Sequence, residues 1–303
     1  METKIDVKKE QKEKVLTPGK IVWNNFKKNK FAIVGLFIIV FIVLFAVVGP
    51  FMTGYGENGI DYAAMKGAPN IHHLLGTDDL GRDVLTRLMY GGRISIAVGV
   101  FSVIIEVILG ALLGVISGYY GGIMDSIIMR VVDIFLCIPF LPILIVLGAM
   151  MSDFHVSPGA RIIWLMFIIA FLSWPSLCRL VRGEVLSLRE QEYMQAAEAL
   201  GIKDTRKMFK HLLPNTLPTI IVTATLGVGS NILTESALSF LGLGVIAPTA
   251  SWGNMIQVVN NLYTLQHYPW LWIPPGVCIF LTAMSINVVG DALRDALDPK
   301  LRR

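Results

Sequence analysis

Two glutamates lie within long apolar runs of the sequence, where a charge is costly. Glu106 falls near the middle of the run from Ile94 to Ile116, and Glu235 lies near the end of the run from Leu217 to Leu241. An unpaired charge at the centre of a bilayer costs at least about 2.5 kcal/mol, so Glu106 should face other helices rather than lipid. Glu106 could bind the amino group of a substrate or, when protonated, bond to a neighbouring helix. Glu235 could form part of an external gate or a structural hydrogen bond to the Gly-rich loop that follows it.

A stripe of small and polar residues runs along the apolar segment that contains Glu235. At steps of four, four, three and four, one helix face carries Thr219, Thr223, Gly227, Ser230 and Thr234. Such a face either lines a path through the membrane or packs tightly on another helix, and the sequence leaves both open. The candidate residues of a translocation path are Glu106, Thr223, Ser230, Asn231, Thr234 and Glu235.

Sequence motifs for ATP hydrolysis, acyl transfer or metal binding are absent. The Gly19-Lys20 pair lacks the upstream Gly and the following Ser or Thr of a nucleotide-binding loop. Nothing resembles a nucleophile elbow or a His-Glu-x-x-His motif, and the five histidines are scattered. We therefore expect no catalytic residue, no metal site and no cofactor bound by this chain. Any energy that it uses must enter through another protein.

The composition is that of a membrane protein. Of 303 residues, 54% are hydrophobic and only 16% are charged, and several apolar runs reach 18 residues. Nine of the 26 Lys and Arg precede Phe31, seven lie from Arg179 to Lys210, and four follow Asp291. The positive-inside rule places these three regions in the cytoplasm. Four acidic residues in the first region and the span beside it favour topology over a nucleic-acid-binding arm. The three cysteines, each in or beside an apolar run, are expected to be packed thiols.

We predict an all-α protein with six transmembrane helices and both termini in the cytoplasm, in the inner or plasma membrane. The predicted spans are 31–48, 94–116, 127–151, 162–178, 217–241 and 270–289. The predicted domains are a loosely ordered basic cytoplasmic segment at 1–30, the first transmembrane helix at 31–49, an external segment at 50–93, a five-helix core at 94–291 that contains a cytoplasmic loop at 183–215, and a cytoplasmic tail at 292–303.

The third span has the most distinctive local chemistry. Pro139 and Pro142 should bend it, because proline removes a helical hydrogen bond that neighbouring helices must then replace. Arg130 and Asp133, three residues apart near its inner end, are expected to pair with each other. In the second span, three glycines should allow close helix contact; these are Gly99, Gly110 and Gly114.

A polar, charged segment from Glu190 to Pro214 separates two of the apolar runs. Its first half places apolar residues at helical spacing, namely Tyr193, Ala196, Ala197 and Leu200. Gly201 permits a left-handed turn and should stop that helix. Asp204 can cap a second short helix, which Pro214 should close. We expect a helix, a turn and a helix outside the bilayer, with an apolar face that needs a partner.

This segment resembles the cytoplasmic coupling loop of ABC importer permeases. In the dipeptide and oligopeptide branch the pattern is Glu-Tyr-x-x-Ala-Ala-x-Ala-Leu-Gly followed by His-x-Leu-Pro-Asn. It is met at Glu192, Tyr193, Ala196, Ala197, Ala199, Leu200, Gly201, His211, Leu213, Pro214 and Asn215. The generic pattern of these permeases is met only in part, because Gln195 and His211 stand where it has Glu and Ile.

The external segment carries a second part of the resemblance, and Thr77 or Asp78 could cap a short helix there. The motifs match the C-type permease subunit of peptide importers at Gly76-Thr77-Asp78, Gly81-Arg82-Asp83, Arg87, Tyr90-Gly91 and Arg93. Near the other end of the chain, the segments ESALSFLGLG, SWG and GDALRDALDPKLRR match the same branch. A folded cap over the helices and a docking site for a binding protein are both open interpretations of the external segment.

The resemblance implies a six-helix permease with the type I ABC importer fold, binding-protein-dependent and located in the inner membrane. It also implies a homologous B-type permease as heterodimer partner, two cytoplasmic ATP-binding subunits that use ATP and Mg, an extracellular or periplasmic substrate-binding protein, and membrane lipid, with no nucleic acid. The residues that would couple to the ATPases are Glu192, Tyr193, Ala196, Ala197, Ala199, Leu200, Gly201, Asp204, His211 and Pro214.

Three other interpretations remain open at the level of sequence. A nickel importer would share these motifs, and the scattered histidines neither support nor exclude nickel as cargo. A secondary transporter or channel would use Glu106 as a coupling residue, although we find no clear internal repeat. The loop could also be an amphipathic hairpin on the membrane surface without a partner.

The first testable prediction concerns the turn of the loop. Gly201→Asp should leave the subunit in the membrane yet uncouple transport, because it adds charge and strain at the turn that faces the partner. Membrane fractionation and ATP-dependent uptake measure the two properties separately. Uptake with wild-type ATP dependence would show that the partner contacts another part of the chain.

Overall fold

The computed structural model describes residues 18–297, and apart from two isolated bridges its regular structure is helical. The α-helices are α1 Pro18–Lys28, α2 Lys30–Val48, α3 Val84–Tyr120, α4 Gly122–Cys137, α5 Phe140–Asp153, α6 Pro158–Arg189, α7 Glu192–Ala199, α8 Asp204–Arg206, α9 Leu213–Phe240, α10 Trp252–Ile256, α11 Leu262–His267 and α12 Pro269–Leu297. Residues 1–17 of the predicted basic segment and residues 298–303 of the predicted tail lie outside the described part of the chain.

Five helices within the described residues are long and apolar enough to cross a membrane. They are Lys30–Phe51, Val84–Tyr120, Pro158–Arg189, Asp204–Phe240 and Pro269–Leu297. Helices α4 and α5 form a further candidate span that is bent by 79° at the break between them. The predicted bend is confirmed, and it is a complete interruption: Ile138 and Pro139 are non-helical, and α5 begins at Phe140. Pro142 fits in the first turn of α5, where no helical N–H is needed.

The helices extend well beyond the apolar runs. Helix α3 begins at Val84 rather than at Ile94, and its 37 residues exceed the roughly 20 that a bilayer requires. Asp83 is the cap of this helix, because its Oδ2 accepts the Thr86 N–H at 2.7 Å. The predicted separate helix capped by Thr77 or Asp78 was therefore wrong. Hydropathy shows where lipid begins, whereas the hydrogen bonds of the cap decide where the helix begins.

The described part of the basic N-terminal segment is helical rather than loosely ordered. In α1, Phe26 is buried against Ala292 and Ala296 of α12. Trp23 stacks on Phe26, and the Lys27 ammonium lies 4.9 Å from the Trp23 ring centroid. An apolar face against the bundle and a basic face outward explain why this segment becomes ordered.

Among the described residues, helices α3 and α6 share the most extensive helix contact, and glycines on α3 lie within it. Gly110, Gly114 and Gly118 face Leu177, Val181 and Val185 of α6. A Cβ atom on Gly114 would lie 2.7 Å from the Cys178 carbonyl oxygen, so only glycine allows this approach. The prediction of close contact is confirmed for Gly110 and Gly114; Gly99 makes a comparable approach to Ile232 of α9.

Ion pairs join α4 to the same helix α6. Asp133 pairs with Arg179 rather than with Arg130, so the predicted pair within α4 was wrong. About two turns of α4 further back, Asp125 accepts from the Arg182 guanidinium at 2.6 Å. Both carboxylates find arginines across the helix interface, a contact between residues far apart in sequence that spacing within one helix does not reveal.

The tight contact of α3 with α6 gives the second prediction. Gly114→Val should destabilise the folded subunit by about 1 to 3 kcal/mol, because the added side chain overpacks the interface. Gly183→Ala on α6 is the matched control, because no atom lies within 4 Å of its Cβ position. Thermal unfolding of the purified transporter measures both variants. Equal melting temperatures for the two would show that the helices are not held this closely.

Candidate functional site

The polar loop folds as two helical pieces joined by a left-handed turn at Gly201. Helix α7 ends at Ala199, and Gly201 has φ of +67°. The Ile202 N–H donates to the Ala197 carbonyl at 3.1 Å and closes the turn. Nothing lies within 4 Å of a Cβ built on Gly201, so the turn projects into open space. The predicted helix stop is confirmed, and glycine is favoured because L side chains rarely adopt this φ.

The second piece does not end at Pro214. It runs from Asp204 through a π-helical segment, Lys207–Leu212, straight into α9. In this segment the Leu213 N–H donates to the Met208 carbonyl, five residues earlier. The widened turn lets proline enter near the start of α9 without breaking the helix. Asp204 is not a cap either, because the cap residue is Lys203. These two expectations were wrong, and the loop is continuous with a membrane helix.

One apolar face of the loop packs on the bundle. Met194 of α7 is buried together with Met208 and Leu212 of the π-helical segment, in the same cluster as Val181 and Val185 of α6. Each of these apolar side chains is less than a tenth exposed. The loop is therefore held rigidly against the ends of the helices rather than tethered loosely.

A second apolar face of the loop is uncovered. Tyr193 is 41% exposed, Phe209 is 45% exposed and Leu200 is 79% exposed. The structure also exposes most of the other coupling residues named from the sequence, which are Glu192, Ala196, Ala199, Gly201, Asp204 and Pro214; Ala197 is buried and His211 is half-buried. Exposed apolar side chains beside a polar surface are typical of an interaction site.

Polar contacts tie the loop to the end of α3. The Tyr119 hydroxyl donates to Asp204 Oδ1, and Lys207 Nζ lies 3.1 Å from the same oxygen. Arg189 of α6 donates to the Tyr119 carbonyl at 3.1 Å. Asp204 lies in the polar stretch before the apolar part of its helix. The hydrogen bond from the Tyr119 hydroxyl, and to a smaller extent that from Lys207, holds the pKa of the Asp204 carboxyl below the usual value. These contacts therefore join the loop to the end of α3.

A cavity of about 510 Å³, here the mid-bundle cavity, opens between α3, α6 and α9 at the break between α4 and α5. Two polar residues at its wall are more than nine-tenths buried, Glu106 and Asn231. Asn231 Nδ2 has no hydrogen-bond partner in the described part of the chain. Three hydroxyls also line this cavity, those of Ser173, Ser176 and Ser230.

A second cavity of about 520 Å³, here the loop-side cavity, lies at the end of the bundle that carries the loop. Its polar lining comes from Glu184 of α6, Thr219 and Thr223 of α9, and Arg294 of α12. Glu184 Oε1 accepts the Thr219 hydroxyl, whereas its Oε2 is buried and unpartnered among the described residues. The polar stripe of α9 thus contributes to both cavities in turn.

Glu235 has a different environment from Glu106. It is fully buried, and its carboxylate accepts the hydroxyls of Ser95 at 2.8 Å and of Ser239 at 2.7 Å. Ser95 Oγ in turn accepts the backbone N–H of Trp252 at 3.2 Å. The carboxylate therefore links α9 to α3 and α10, which supports a structural role.

The structure brings together only part of the predicted translocation path. Glu106, Ser230 and Asn231 share the mid-bundle cavity, and Thr223 lines the loop-side cavity. Thr234 and Glu235 line neither of these two; the Thr234 hydroxyl donates to the Ser230 carbonyl of its own helix.

Several residues of the two cavities and of the loop contact were not predicted. They are Tyr119, Ser173, Ser176, Glu184, Lys207 and Arg294. Ser173 and Ser176 could have been found from the sequence. They lie three residues apart in an apolar run, so their hydroxyls share one helix face and indicate a polar site there. The others depend on helices that continue beyond the apolar runs.

Long apolar helices, two cavities with polar residues in their walls and a polar loop at one end are the features of a multi-pass membrane protein. Residues 110–303 match the family described as "binding-protein-dependent transport system inner membrane component". Residues 17–70 match "N-terminal TM domain of oligopeptide transport permease C". The chain belongs to this family of transport-system permeases, and the resemblance seen in its sequence is confirmed.

Curated relatives are similar over nearly the whole chain. The oligopeptide transport system permease protein OppC of Bacillus subtilis (strain 168) is 41% identical over 96% of this chain and 94% of its own length. The dipeptide transport system permease protein DppC of the same organism is 43% identical over 93% of this chain and 85% of its own. OppC of Escherichia coli (strain K12) is 39% identical over 96% of this chain and 95% of its own.

The third prediction separates the two roles considered for Glu235. Glu235→Ala should lower the melting temperature of the purified transporter, because it leaves buried hydroxyls without their acceptor at a cost of about 1 to 3 kcal/mol each. Leu233→Ala, two residues earlier and 45% exposed, is the control and should change the melting temperature little. A variant with the melting temperature of the control but no transport would indicate a gate instead.

Proposed function

We propose that this permease forms one half of the translocation pathway of an ATP-driven importer of dipeptides or oligopeptides. The cargo is proposed because the named relatives in Bacillus subtilis and Escherichia coli are oligopeptide and dipeptide permeases that match over almost the full chain. The other half of the pathway would come from a homologous B-type permease. Six spans with both termini in the cytoplasm complete the arrangement.

The uncovered apolar face of the loop is the observation that supports coupling to an ATPase. Tyr193, Leu200 and Phe209 expose apolar surface on an element whose opposite face is buried in the bundle. A rigid element with one apolar face free is suited to a cleft in another protein. We assign that cleft to one of two cytoplasmic ATPases, which would bind ATP and Mg, while a binding protein delivers peptide on the external side.

The contacts behind the loop suggest how work reaches the membrane helices. Closure of the ATPases would move α7, and the shared apolar cluster would carry that movement to α6. The bond from Tyr119 to Asp204 would carry it to α3. Because packed helices move as rigid bodies, the result would be a switch between inward-open and outward-open arrangements.

The two cavities support a hydrophilic route through the bundle. Thr219 and Thr223 line the loop-side cavity, and Gly227 and Ser230 line the mid-bundle cavity. A peptide backbone carries donors and acceptors that need such partners outside water. For the polar stripe of α9, a role in lining a path is therefore favoured over helix packing alone. Membership of the permease family separately favours a permease over a secondary transporter.

The fourth prediction tests the proposed function directly. The complete system of two permeases, two ATPases and the binding protein is reconstituted in proteoliposomes and supplied with labelled dipeptide, labelled tripeptide or labelled nickel. Peptide should accumulate only with ATP on the ATPase side, and uptake should vanish when the P-loop lysine of the ATPases is replaced.

Nickel accumulation without peptide accumulation would replace the proposed cargo and keep the class of transporter. Peptide accumulation that persists without ATP would contradict the proposed energy source.

A further inference from the structure

The mid-bundle cavity combines a buried carboxyl with the broken end of a helix. We propose that Glu106, together with Asn231 and the carbonyl end of α4, binds the protonated amino terminus of the peptide as it passes the middle of the membrane. This inference rests on the proposed peptide transport and adds the residue that recognises a chemical feature shared by peptides with a free amino terminus.

Glu106 lacks the partner that a buried carboxylate needs. It lies near the middle of the second apolar run and is only 9% exposed. None of the ion pairs within residues 18–297 includes Glu106. Ionised at this depth, the carboxylate would be strongly destabilised, so a cation or a proton must compensate it. Since it lines a cavity, a cationic group carried by the substrate can reach it.

The break between α4 and α5 makes the same cavity favourable for a cation. Helix α4 ends at Cys137, and Phe135, Leu136 and Ile138 line the cavity. Carbonyl groups in the last turn of a helix lack partners in the helix and carry partial negative charge. Pro139 has no N–H to donate to this last turn, in which the Phe135 carbonyl already accepts the Ile138 N–H at 3.2 Å. A helix end of this kind is suited to positive charge.

The polar groups of the mid-bundle cavity match the hydrogen-bonding groups of a peptide amino terminus, which are an ammonium and the carbonyl next to it. An ammonium donates three hydrogen bonds, and the carboxylate, a serine hydroxyl and a carbonyl of α4 supply acceptors. Asn231 Nδ2 is a buried donor that has no partner among the described residues. Buried donors are rarely left unpaired; this one lies beside the Glu106 carboxyl, to which it can donate, and the first carbonyl of a bound peptide is an alternative acceptor.

The size of the cavity favours an organic amine over an inorganic ion. Its volume of about 510 Å³ is in the range of sites for small molecules. No group of three or more His, Cys, Asp or Glu suited to a metal is found in residues 18–297. Gly227 of α9 lies beside the carboxylate, because a Cβ atom built on it would lie 3.9 Å from Glu106 Oε2, an ordinary contact distance.

The experiment uses the complete transporter in proteoliposomes and a matched pair of probes, trialanine and N-acetyl-trialanine. The purified binding protein is first shown to hold both; if it rejects the acetylated one, a pair of longer alanine peptides that it does hold replaces them. Glu106→Gln should reduce the uptake of the free-amine peptide per ATP hydrolysed about tenfold or more, the factor expected for one hydrogen bond to a charged group. Uptake of the acetylated peptide should be unchanged.

Two further variants make the result specific. Asp153→Asn removes a carboxylate that is exposed at the end of α5 and should behave as wild type. Glu106→Gln combined with Asn231→Asp returns a carboxylate to the same cavity and should recover much of the free-amine uptake. A merely structural carboxyl would predict no such recovery, because the second substitution does not restore the first side chain.

The outcomes separate this inference from the proposed function. Equal loss of both peptides in Glu106→Gln, or no loss of either, overturns the assignment of Glu106 while peptide transport by the wild type stands. Failure of the wild-type transporter to import either peptide with ATP overturns the proposed function itself, and this inference with it.

Discussion

The close contact of α3 with α6 is the constraint on which the other features depend. Glycines on α3 let the two backbones approach, and the valines of α6 fill the space beside them. Helix α3 carries Glu106 near its middle and Tyr119 at its end, whereas α6 carries Glu184 and leads into α7. Because one rigid pair holds both the cavity lining and the loop contacts, neither can shift without the other.

The two buried glutamates show how the same residue type serves different ends. Glu235 has a hydroxyl for each of its carboxylate oxygens, one from Ser239 of its own helix and one from Ser95 of α3, to which it joins α9. Glu106 lines a cavity beside an unpartnered amide. In a low-dielectric interior a fully satisfied polar group stabilises the fold, whereas an incompletely satisfied one can be completed by a ligand. Their surroundings, rather than their depth in the membrane, distinguish the two.

Local chemistry made a large part of this structure predictable. Apolar runs located the membrane helices, Gly201 located the turn, and Pro139 located the break, because each depends on the residue itself. The start of α3 was missed because Asp83 lies in a segment without helical hydropathy. The partner of Asp133 was missed because Arg179 is far away in sequence. Pairing across helices depends on the packing of the bundle, which spacing along one chain does not encode.

The π-helical segment also bears on how the length of this chain can change. Such a turn accommodates one residue more than an α-helical turn of the same rise. Deleting one residue within Lys207–Leu212 would convert it to regular α-helix and keep the loop and α9 in phase. A deletion of one residue within α9 would instead rotate everything beyond it by about 100°. A chain shorter by a single residue at this joint would therefore keep the same interior surfaces.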